Sequence, residues 1–271
     1  MKKLFLLLLA FCVLAGSCTR KGSSLEDLIL TTVSDSLAVI PDALTPQDGV
    51  CATAVVCLEV PQGGLRRKAI RNIRKGIVST AFGEEYAALS CPAAASAYLA
   101  AYADAYRQDA QEIAGTDEGR TLLHTLNYYR NVSGEVVSLS RGILAYRIST
   151  EDYAGGAHGT YTDSWLNFKA ADGTALSPEV LFTESGRETL DYLLKTELQA
   201  AGHTYWNYGS DGNAWLDGNF CFEADSIRFF YNPYEVDCYA AGSICVSLPL
   251  EVVAPLLNEK KFKLNLENSY E

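Results

Sequence analysis

The chain has 271 residues, of which 48% are hydrophobic, and its formal net charge is −11 at pH 7. This length and hydrophobic content suit one large domain, or two small ones, with a substantial buried core. The acidic balance argues against nucleic acid or an anionic membrane surface as the main partner, and it favours cationic partners.

The first residues have the pattern of a bacterial secretion signal. Lys2 and Lys3 give a basic start, and an apolar run follows over residues 4–14. Because this run is too short to span a bilayer as a permanent helix, we expect a signal peptide over residues 1–17 that is removed after export. Its removal takes away two of the 22 basic residues and none of the 33 acidic ones, which changes the net charge from −11 to −13.

Cys18 is the predicted attachment point for a lipid. The small residues Ala15-Gly16-Ser17 directly before it resemble a bacterial lipobox, which implies cleavage before Cys18 and lipidation of its thiol and new amino group. Residues 18–30 then form a lipidated tether. We therefore expect a lipoprotein of the bacterial cell envelope, anchored in the outer membrane or on a periplasmic membrane face. The alternative is an ordinary signal peptide followed by an incidental cysteine.

Cysteine usage leaves the pairing of the thiols open. Of eight cysteines, Cys12 lies in the predicted signal peptide and Cys18 takes the lipid. An oxidising envelope permits disulfides, but if Cys51 and Cys57 share one extended strand, roughly 20 Å separates them, which is beyond disulfide reach. No Cys-x-x-Cys spacing occurs, so the sequence predicts no metal site and no cofactor. The six remaining cysteines are Cys51, Cys57, Cys91, Cys221, Cys238 and Cys245.

The segment before residue 120 contains one predicted strand and two predicted helices. Residues 50–60 are rich in valine and alanine and predict a strand that ends at Pro61. Apolar residues then recur at helical spacing and predict an amphipathic helix over residues 64–82, and the alanine-rich residues 92–113 predict a second helix. The polar face of the first helix is basic, which favours either a docking face for an anion or a solvated face balanced by nearby carboxylates. Its basic residues are Arg66, Arg67, Lys68, Arg71, Arg74 and Lys75.

Strand patterns dominate after residue 120, so the boundary between two sub-domains is predicted there. A meander is predicted with a turn at Ser133-Gly134, and a helix is predicted over residues 184–201, started by a capping box of Ser185 and Glu188. Because helices and antiparallel strands come in blocks, the predicted class is α+β: an antiparallel sheet packed with a few amphipathic helices in one compact body. The strands of this half are predicted over residues 124–132, 135–149, 160–168, 220–222, 227–231 and 244–248.

Three motifs in the second half of the chain carry a resemblance to a known family. They are Tyr153-Ala154-Gly155-Gly156-Ala157-His158-Gly159, Asn232-Pro233-Tyr234-Glu235 and Tyr239-Ala240-Ala241-Gly242. In this order they resemble the extracellular domain of RsiV-type lysozyme-sensing anti-sigma factors, most of whose members have no assigned function. The resemblance assigns residues 121–271 to that domain. Residues 31–120 resemble the companion module that often precedes it.

The resemblance implies recognition of lysozyme or of a cell-wall component. Sensors of this type also need a sigma-binding segment and a membrane span, and the companion module occurs ahead of a metal-dependent catalytic domain in some peptidoglycan deacetylases. The sequence has none of these additions. The expected role is therefore a non-enzymatic binding module on a lipid anchor, without signalling.

His158 is the one histidine that the sequence presents for chemistry, because flanking glycines leave its ring accessible. Asp163 is the predicted partner that would orient it. No Ser-His-Asp order, His-Glu-x-x-His spacing or calcium-loop spacing occurs, so no catalytic residue and no metal is predicted, and we expect the ring to bond the sheet edge. The rival hypothesis is a cell-wall glycan hydrolase or esterase that uses His158 or an acidic pair, either Glu151-Asp152 or Asp211 with Asp217.

The predicted binding surface gathers aromatic and glycine-rich segments that lie far apart in the sequence. For a cationic partner such as lysozyme, the acidic charge would raise the association rate and make it sensitive to salt, and nucleic acid is not an expected partner. A third hypothesis is a structural envelope protein whose basic helix face docks on an anionic surface polymer. The predicted binding residues are Tyr153, Gly155, Gly156, Ala157, His158, Tyr231, Pro233, Tyr234 and Tyr239, with Tyr205 and Trp206 from an aromatic loop.

Overall fold

The computed structural model describes residues 25–41, 44, 49–203, 212–214, 218–223 and 225–258. Cys18, Tyr205, Trp206, Asp211 and Asp217, all named above, lie outside these ranges. Within the described ranges, no helix is long and apolar enough to cross a membrane. The six cysteines that follow Cys18 are free thiols.

The protein has the predicted α+β class, with a five-stranded and a three-stranded sheet in the described part of the chain. The three long helices predicted from periodicity are confirmed, with boundaries shifted by a few residues. The strands are β1 (Ile29–Val39), β2 (Ala52–Gly63), β3 (Tyr129–Ser140), β4 (Ile143–Tyr153), β5 (Thr160–Lys169), β6 (Phe220–Phe222), β7 (Ser226–Tyr231) and β8 (Ile244–Pro249). The α-helices are α1 (Arg67–Phe82), α2 (Cys91–Ala114), α3 (Asp117–Arg120), α4 (Pro178–Leu181), α5 (Glu184–Ala200) and α6 (Leu250–Val253).

The larger sheet has the order β1-β2-β3-β4-β5, in which β2 and β3 are parallel and the other neighbours are antiparallel. Parallel neighbours need a long connection, and here α1 and α2 lie within it. The predicted boundary near residue 120 falls in this same connection. Strands from both sides of that residue therefore pair in one sheet.

The first core lies between this sheet and the helices α1 and α2. Alternation along β2 points Val56 and Leu58 inward, where both are fully buried. They belong to the same buried cluster as Ile73 and Ile77 of α1 and Tyr106 of α2, each 1% exposed or less. Each side chain of this kind contributes about 1.5–3 kcal/mol by leaving water. Tyr106 of α2 is thus a packing residue.

The predicted turn at Ser133-Gly134 is wrong, because β3 runs through this dipeptide without interruption. The phenol of Tyr146 crosses directly over Gly134, and a Cβ there would also lie 2.8 Å from Leu58 Cδ2. Glycine is needed for this close approach inside a strand. The turn lies instead at Arg141-Gly142, with φ of 53° and 76°. Two consecutive positive φ angles are the signature of a tight hairpin turn.

The second core lies between α5 and the sheet β6-β7-β8. The first helical turn of α5 is capped by Thr183, whose hydroxyl accepts the N–H of Gly186 at 2.9 Å. The predicted capping box of Ser185 and Glu188 is therefore wrong: Thr183 has the extended backbone that an N-cap residue adopts and directly precedes the helix. The fully buried stripe of α5 consists of Leu190, Leu194 and Leu198.

Asparagine side chains join the two sheets along the outer edge of β5. Asn232 Oδ1 accepts the N–H of Asp163, and Asn219 Oδ1 accepts the N–H of Trp165, both at 2.7 Å. Both amides also donate to the carbonyl of Asp163, at 3.2 and 3.0 Å. The buried Asn167 donates to Phe220 O at 2.6 Å. These bonds hold the segment after β7 beside the start of β5, where the glycine-rich loop ends.

Candidate binding site

Four aromatic side chains from three segments converge on one surface, which we call the tyrosine–histidine patch. Its members are His158 in the loop between β4 and β5, Tyr161 on β5, and Tyr234 and Tyr239 between β7 and β8. The ring centroid of Tyr239 lies 4.1 Å from that of His158, 5.5 Å from Tyr234 and 6.1 Å from Tyr161. These are normal distances for interacting aromatic rings, so the patch has a defined packing.

Glycines give the loop its course. Gly155 and Gly156 have φ of 83° and 101°, angles that residues with a Cβ rarely adopt. A Cβ on Gly159 would lie 2.7 Å from the hydroxyl oxygen of Tyr129, so a larger residue would push the loop off the sheet. The hydroxyl of Tyr153 donates to Gly156 O at 3.1 Å. The loop therefore holds His158 in place beside the start of β5.

The imidazole of His158 is fixed by three neighbours. Its Nδ1 lies 2.8 Å from Gly159 O, and because a carbonyl can only accept, Nδ1 carries the proton in the neutral ring. This leaves Nε2 to accept from the hydroxyl of Tyr234 at 3.4 Å. Tyr239 stacks on the ring at an interplanar angle of 24° and donates its own hydroxyl to Gly159 O at 2.9 Å.

The turn Asn232-Pro233-Tyr234-Glu235 presents the most exposed tyrosine of the patch. The carboxylate of Glu235 accepts the N–H of Asn232 at 2.6 Å, and the N–H of Glu235 donates to Asn232 O at 3.1 Å. Tyr234 has φ of 72°, which is unusual for a residue with a bulky side chain. Such a backbone costs about 1–3 kcal/mol and is concentrated at functional sites. The Tyr234 side chain is 49% exposed.

The structure brings together most of the predicted binding residues that it describes. Ala157 is exposed in the loop, Pro233 is partly exposed in the turn, and Tyr153 lies partly buried beside the loop. Tyr231 does not belong to the surface: it is 1% exposed, and its hydroxyl donates to Ala214 O at 2.6 Å. It is part of the second core, so it cannot contact a partner directly.

Tyr161 is a member of the patch that the sequence reasoning missed. It is 37% exposed and pairs in the sheet with Glu151. The available signal was its position two residues after the glycine-rich loop, at the start of an alternating strand. Alternation alone puts Tyr161 and Asp163 on one face of β5.

The acidic residues near the patch are engaged in other bonds. The carboxylate of Asp163 accepts from the hydroxyl of Ser149, so the predicted orienting contact with His158 is wrong. Asp152 forms an ion pair with Arg130, whose Nε lies 2.6 Å from Oδ1, and this hydrogen bond raises the pKa of Arg130. In the ranges that the structure describes, no group of three His, Cys, Asp or Glu side chains is arranged to hold a metal ion.

The patch offers aromatic faces and polar tips to a partner. Tyrosine rings attract lysine and arginine side chains through their π faces, and phenol hydroxyls donate and accept hydrogen bonds. This combination suits recognition of a cationic protein surface or of a sugar.

Comparison with known proteins finds a family model that matches part of the second half of the chain. Residues 181–251 match the model of a family described as "Protein of unknown function (DUF3298)". This stretch contains α5 and β6 to β8, together with the Tyr234 and Tyr239 half of the patch. No curated protein matches the sequence significantly.

Two solved structures share the fold over most of the chain. A DUF3298 family member from Bacteroides fragilis NCTC 9343 aligns with a TM-score of 0.74 and 24% identity, over 88% of this chain and 96% of that one. A DUF3298 family protein from Pseudomonas aeruginosa PAO1 aligns with a TM-score of 0.55 and 14% identity, over 87% of this chain and 98% of that one. The chain thus contains a DUF3298 domain over residues 181–251, and its structural neighbours are members of that family.

Proposed function

We propose that this protein is a non-enzymatic binding module of the bacterial envelope, anchored by a lipid on Cys18, whose tyrosine–histidine patch recognises a cationic macromolecule. Lysozyme is the partner that we propose to test first, and a cell-wall component is the other partner class. The observation that carries the proposal is the convergence of four aromatic side chains from three segments on one surface. Tyrosine is enriched among the residues that dominate binding energy at protein interfaces.

The charge of the chain supports a cationic partner. The net charge, −11 for the full chain and −13 after removal of residues 1–17, would steer a basic protein towards the molecule and raise the association rate at low salt. At the patch itself, the exposed rings of Tyr234 and Tyr161 offer faces on which lysine or arginine side chains can stack. Long-range attraction and short-range contact therefore favour the same class of partner.

The bonding of His158 favours a positioning role over proton transfer. One ring nitrogen is engaged by Gly159 O and the other by the hydroxyl of Tyr234. A histidine base contacts the group whose proton it removes, and among the described residues the group in contact with Nε2 is the phenol of Tyr234, at 3.4 Å, and not a serine or cysteine nucleophile. In our proposal the imidazole orders the tyrosines around it.

The test is a titration of lysozyme over the immobilised full chain at low and high salt. We expect binding that weakens with salt, and at least an approximately tenfold loss of affinity in Tyr234→Ala, because this ring is exposed and central to the proposed contact. Tyr192→Ala is the matched control, since Tyr192 is 69% exposed on α5 and lies outside the patch. No retention at either salt concentration would remove lysozyme as the partner. Equal losses in the two variants would remove the patch as the binding surface.

A further inference from the structure

A large cleft lies on the side of the first core where β1 forms the edge of the five-stranded sheet. It has a volume of about 820 Å³ and is bounded by β1, by α1 and by the residues that lead into α2. We call it the basic cleft. Its volume falls within the range of about 300–1,000 Å³ that is typical of small-molecule sites.

The charge of the basic cleft is opposite to that of the chain as a whole. Four cationic side chains of α1 line it, and no carboxylate occurs among its described lining residues. None of the four forms an ion pair with a described residue. Arg74 Nε donates a hydrogen bond of 2.8 Å to Pro61 O, and this bond orients the guanidinium. The four side chains are Arg67, Arg71, Arg74 and Lys75.

Repulsion within this cluster is relieved when an anion joins it. Like charges on one helix face repel each other, and residues four apart, such as Arg67 and Arg71, are direct neighbours. The positive charge of Arg74 acts on Cys91, which also lines the cleft. Burial raises the pKa of the Cys91 thiol, and the charge of Arg74 opposes this rise. The cleft is therefore electrostatically prepared for an acidic group.

The remaining walls of the cleft are largely apolar. Ile70 of α1 is partly exposed, and Ala88, Leu89 and Pro92 are exposed where they line the cleft, Leu89 to 44%. Together these residues give the cleft an accessible apolar surface beside its cations, as in sites that take an apolar ligand group. No aromatic ring occurs among the described lining residues, so stacking of nucleic acid bases has no platform there.

We propose that the basic cleft binds a single-chain amphiphile with an acidic head group. The phosphate or carboxylate head contacts the four cations, and the hydrocarbon chain lies on Ile70, Leu89 and Pro92. A small inorganic anion would leave the apolar walls uncovered, and a neutral chain would leave the cations unpaired. This binding is independent of the partner of the tyrosine–histidine patch.

The experiment is calorimetric titration of the full chain with three compounds that separate head from tail. Dodecyl phosphate carries both, inorganic phosphate carries the head alone, and dodecyl maltoside carries the same chain on a neutral head. We expect saturable binding of dodecyl phosphate below its micelle concentration, and at least approximately tenfold weaker binding of the other two. Inorganic phosphate binding as tightly as dodecyl phosphate would overturn the role of the chain, and equal binding of the maltoside would overturn the role of the cations.

Charge reversal at two positions separates the cleft from the helix as a whole. The double variant Arg71→Glu with Lys75→Glu should weaken dodecyl phosphate binding at least about thirtyfold, because two attractive contacts become repulsive. Arg66→Glu with Lys68→Glu makes the same charge change at the start of α1, outside the cleft lining, and should retain the affinity. Leu89→Ser should weaken binding about threefold without a charge change. Circular dichroism and thermal unfolding of each variant separate loss of binding from loss of fold.

Two further outcomes would contradict the proposal. If the control pair lowers the affinity as much as the cleft pair, the effect is general charge and not a site. If the protein binds phosphatidylglycerol vesicles through Arg71 and Lys75 but does not bind dodecyl phosphate, the cations face a membrane surface and the cleft holds no ligand.

Discussion

Three of the four side chains of the tyrosine–histidine patch lie on connecting segments, and the fourth, Tyr161, lies at the start of β5. The basic cleft consists of a helix face, an edge strand and the approach to a second helix. In the patch, His158 is held by hydrogen bonds of 2.8 and 3.4 Å and by one stacked ring. In the cleft, the cations are placed by the packing of α1 on the sheet, through residues such as Ile73 and Ile77 that are fully buried.

This difference determines what each surface is sensitive to. The patch is held by a few hydrogen bonds and one stacked pair of rings between its own members. Loss of one of these side chains is therefore enough to rearrange the others. The cleft responds instead to changes that move α1, because close-packed cores transmit displacement. We therefore expect substitutions in one surface to spare the other, and a substitution in the patch that weakens binding at both would contradict this difference.

The largest effect is expected for Gly76→Leu in the middle of α1. A Cβ at this position would lie 2.7 Å from Cε1 of Phe168, a ring that is 1% exposed and cannot move aside. We expect the free energy of unfolding to fall by about 3 kcal/mol and dodecyl phosphate binding to weaken, while lysozyme binding by the folded protein is kept. Urea unfolding measures the first effect. Thr80→Leu, at an exposed position of the same helix, should change stability by no more than about 0.5 kcal/mol, and wild-type stability of Gly76→Leu would contradict the packing argument.

A smaller effect on stability is expected for Tyr239→Ala at the centre of the patch. This change removes the ring stacked on His158 and the hydrogen bond of 2.9 Å to Gly159 O. We expect a loss of about 2 kcal/mol in unfolding free energy, together with a lysozyme affinity reduced at least as much as in Tyr234→Ala. Calorimetric titration of Tyr239→Ala with dodecyl phosphate should give the wild-type affinity, because the basic cleft lies elsewhere.

Tyr239→Phe is the control that separates the ring from its hydroxyl. It keeps the stack and removes a single hydrogen bond, so the loss of stability should be about 1 kcal/mol. If Tyr239→Phe and Tyr239→Ala destabilise the protein equally, the hydroxyl alone holds the patch and stacking contributes nothing.

The smallest effect concerns Asp172, which lies in the turn after β5 and anchors α1 through a bond of 2.8 Å from Asn72 Nδ2 to its carbonyl. Hydrogen bonds from Thr174 lower the pKa of the Asp172 carboxyl from its ordinary value of 3.8. A lowered pKa in the folded state means that the carboxylate stabilises the fold above pH 3.8, and that this contribution is lost as the pH falls through the folded-state pKa. Asp172→Asn should therefore lower stability by less than about 1 kcal/mol at pH 7. The difference from wild type should disappear in strong acid, as measured by urea unfolding at a series of pH values, and a difference that persists there would contradict the assignment.

The sequence predicted the local structure correctly where contacts within one short segment determine it. The spacing of Ile73 and Ile77 predicts α1 and its buried face, and the glycines around His158 predict a shaped loop. Predictions from the sequence were wrong where a contact with a residue far away in the chain determines the structure. Ser133-Gly134 has the composition of a turn, but the glycine is there because Tyr146 packs across it. Tyr231 was predicted at the surface, but its hydroxyl donates to Ala214 O inside the second core.

The tyrosine–histidine patch and the basic cleft also differ in how much of each could be predicted from the sequence. The motifs around His158 and Tyr234 indicated both halves of the patch, but the contact between them depends on Asn219 and Asn232 binding the edge of β5. The basic residues of α1 were evident as a pattern, yet a charged helix face alone does not distinguish a solvated surface from a cleft. That distinction depends on β1 and Leu89 lining the same cleft as Arg71.

The asparagine bonds along β5 have a consequence for self-association. An uncovered strand edge offers its peptide groups to a strand of another molecule, which is how many folded proteins begin to polymerise. Here the peptide N–H groups of Asp163 and Trp165 are already occupied by Asn232 and Asn219. Fibre growth at that side of the sheet would first have to displace two amides, so any such growth is directed to the opposite edge, at β1.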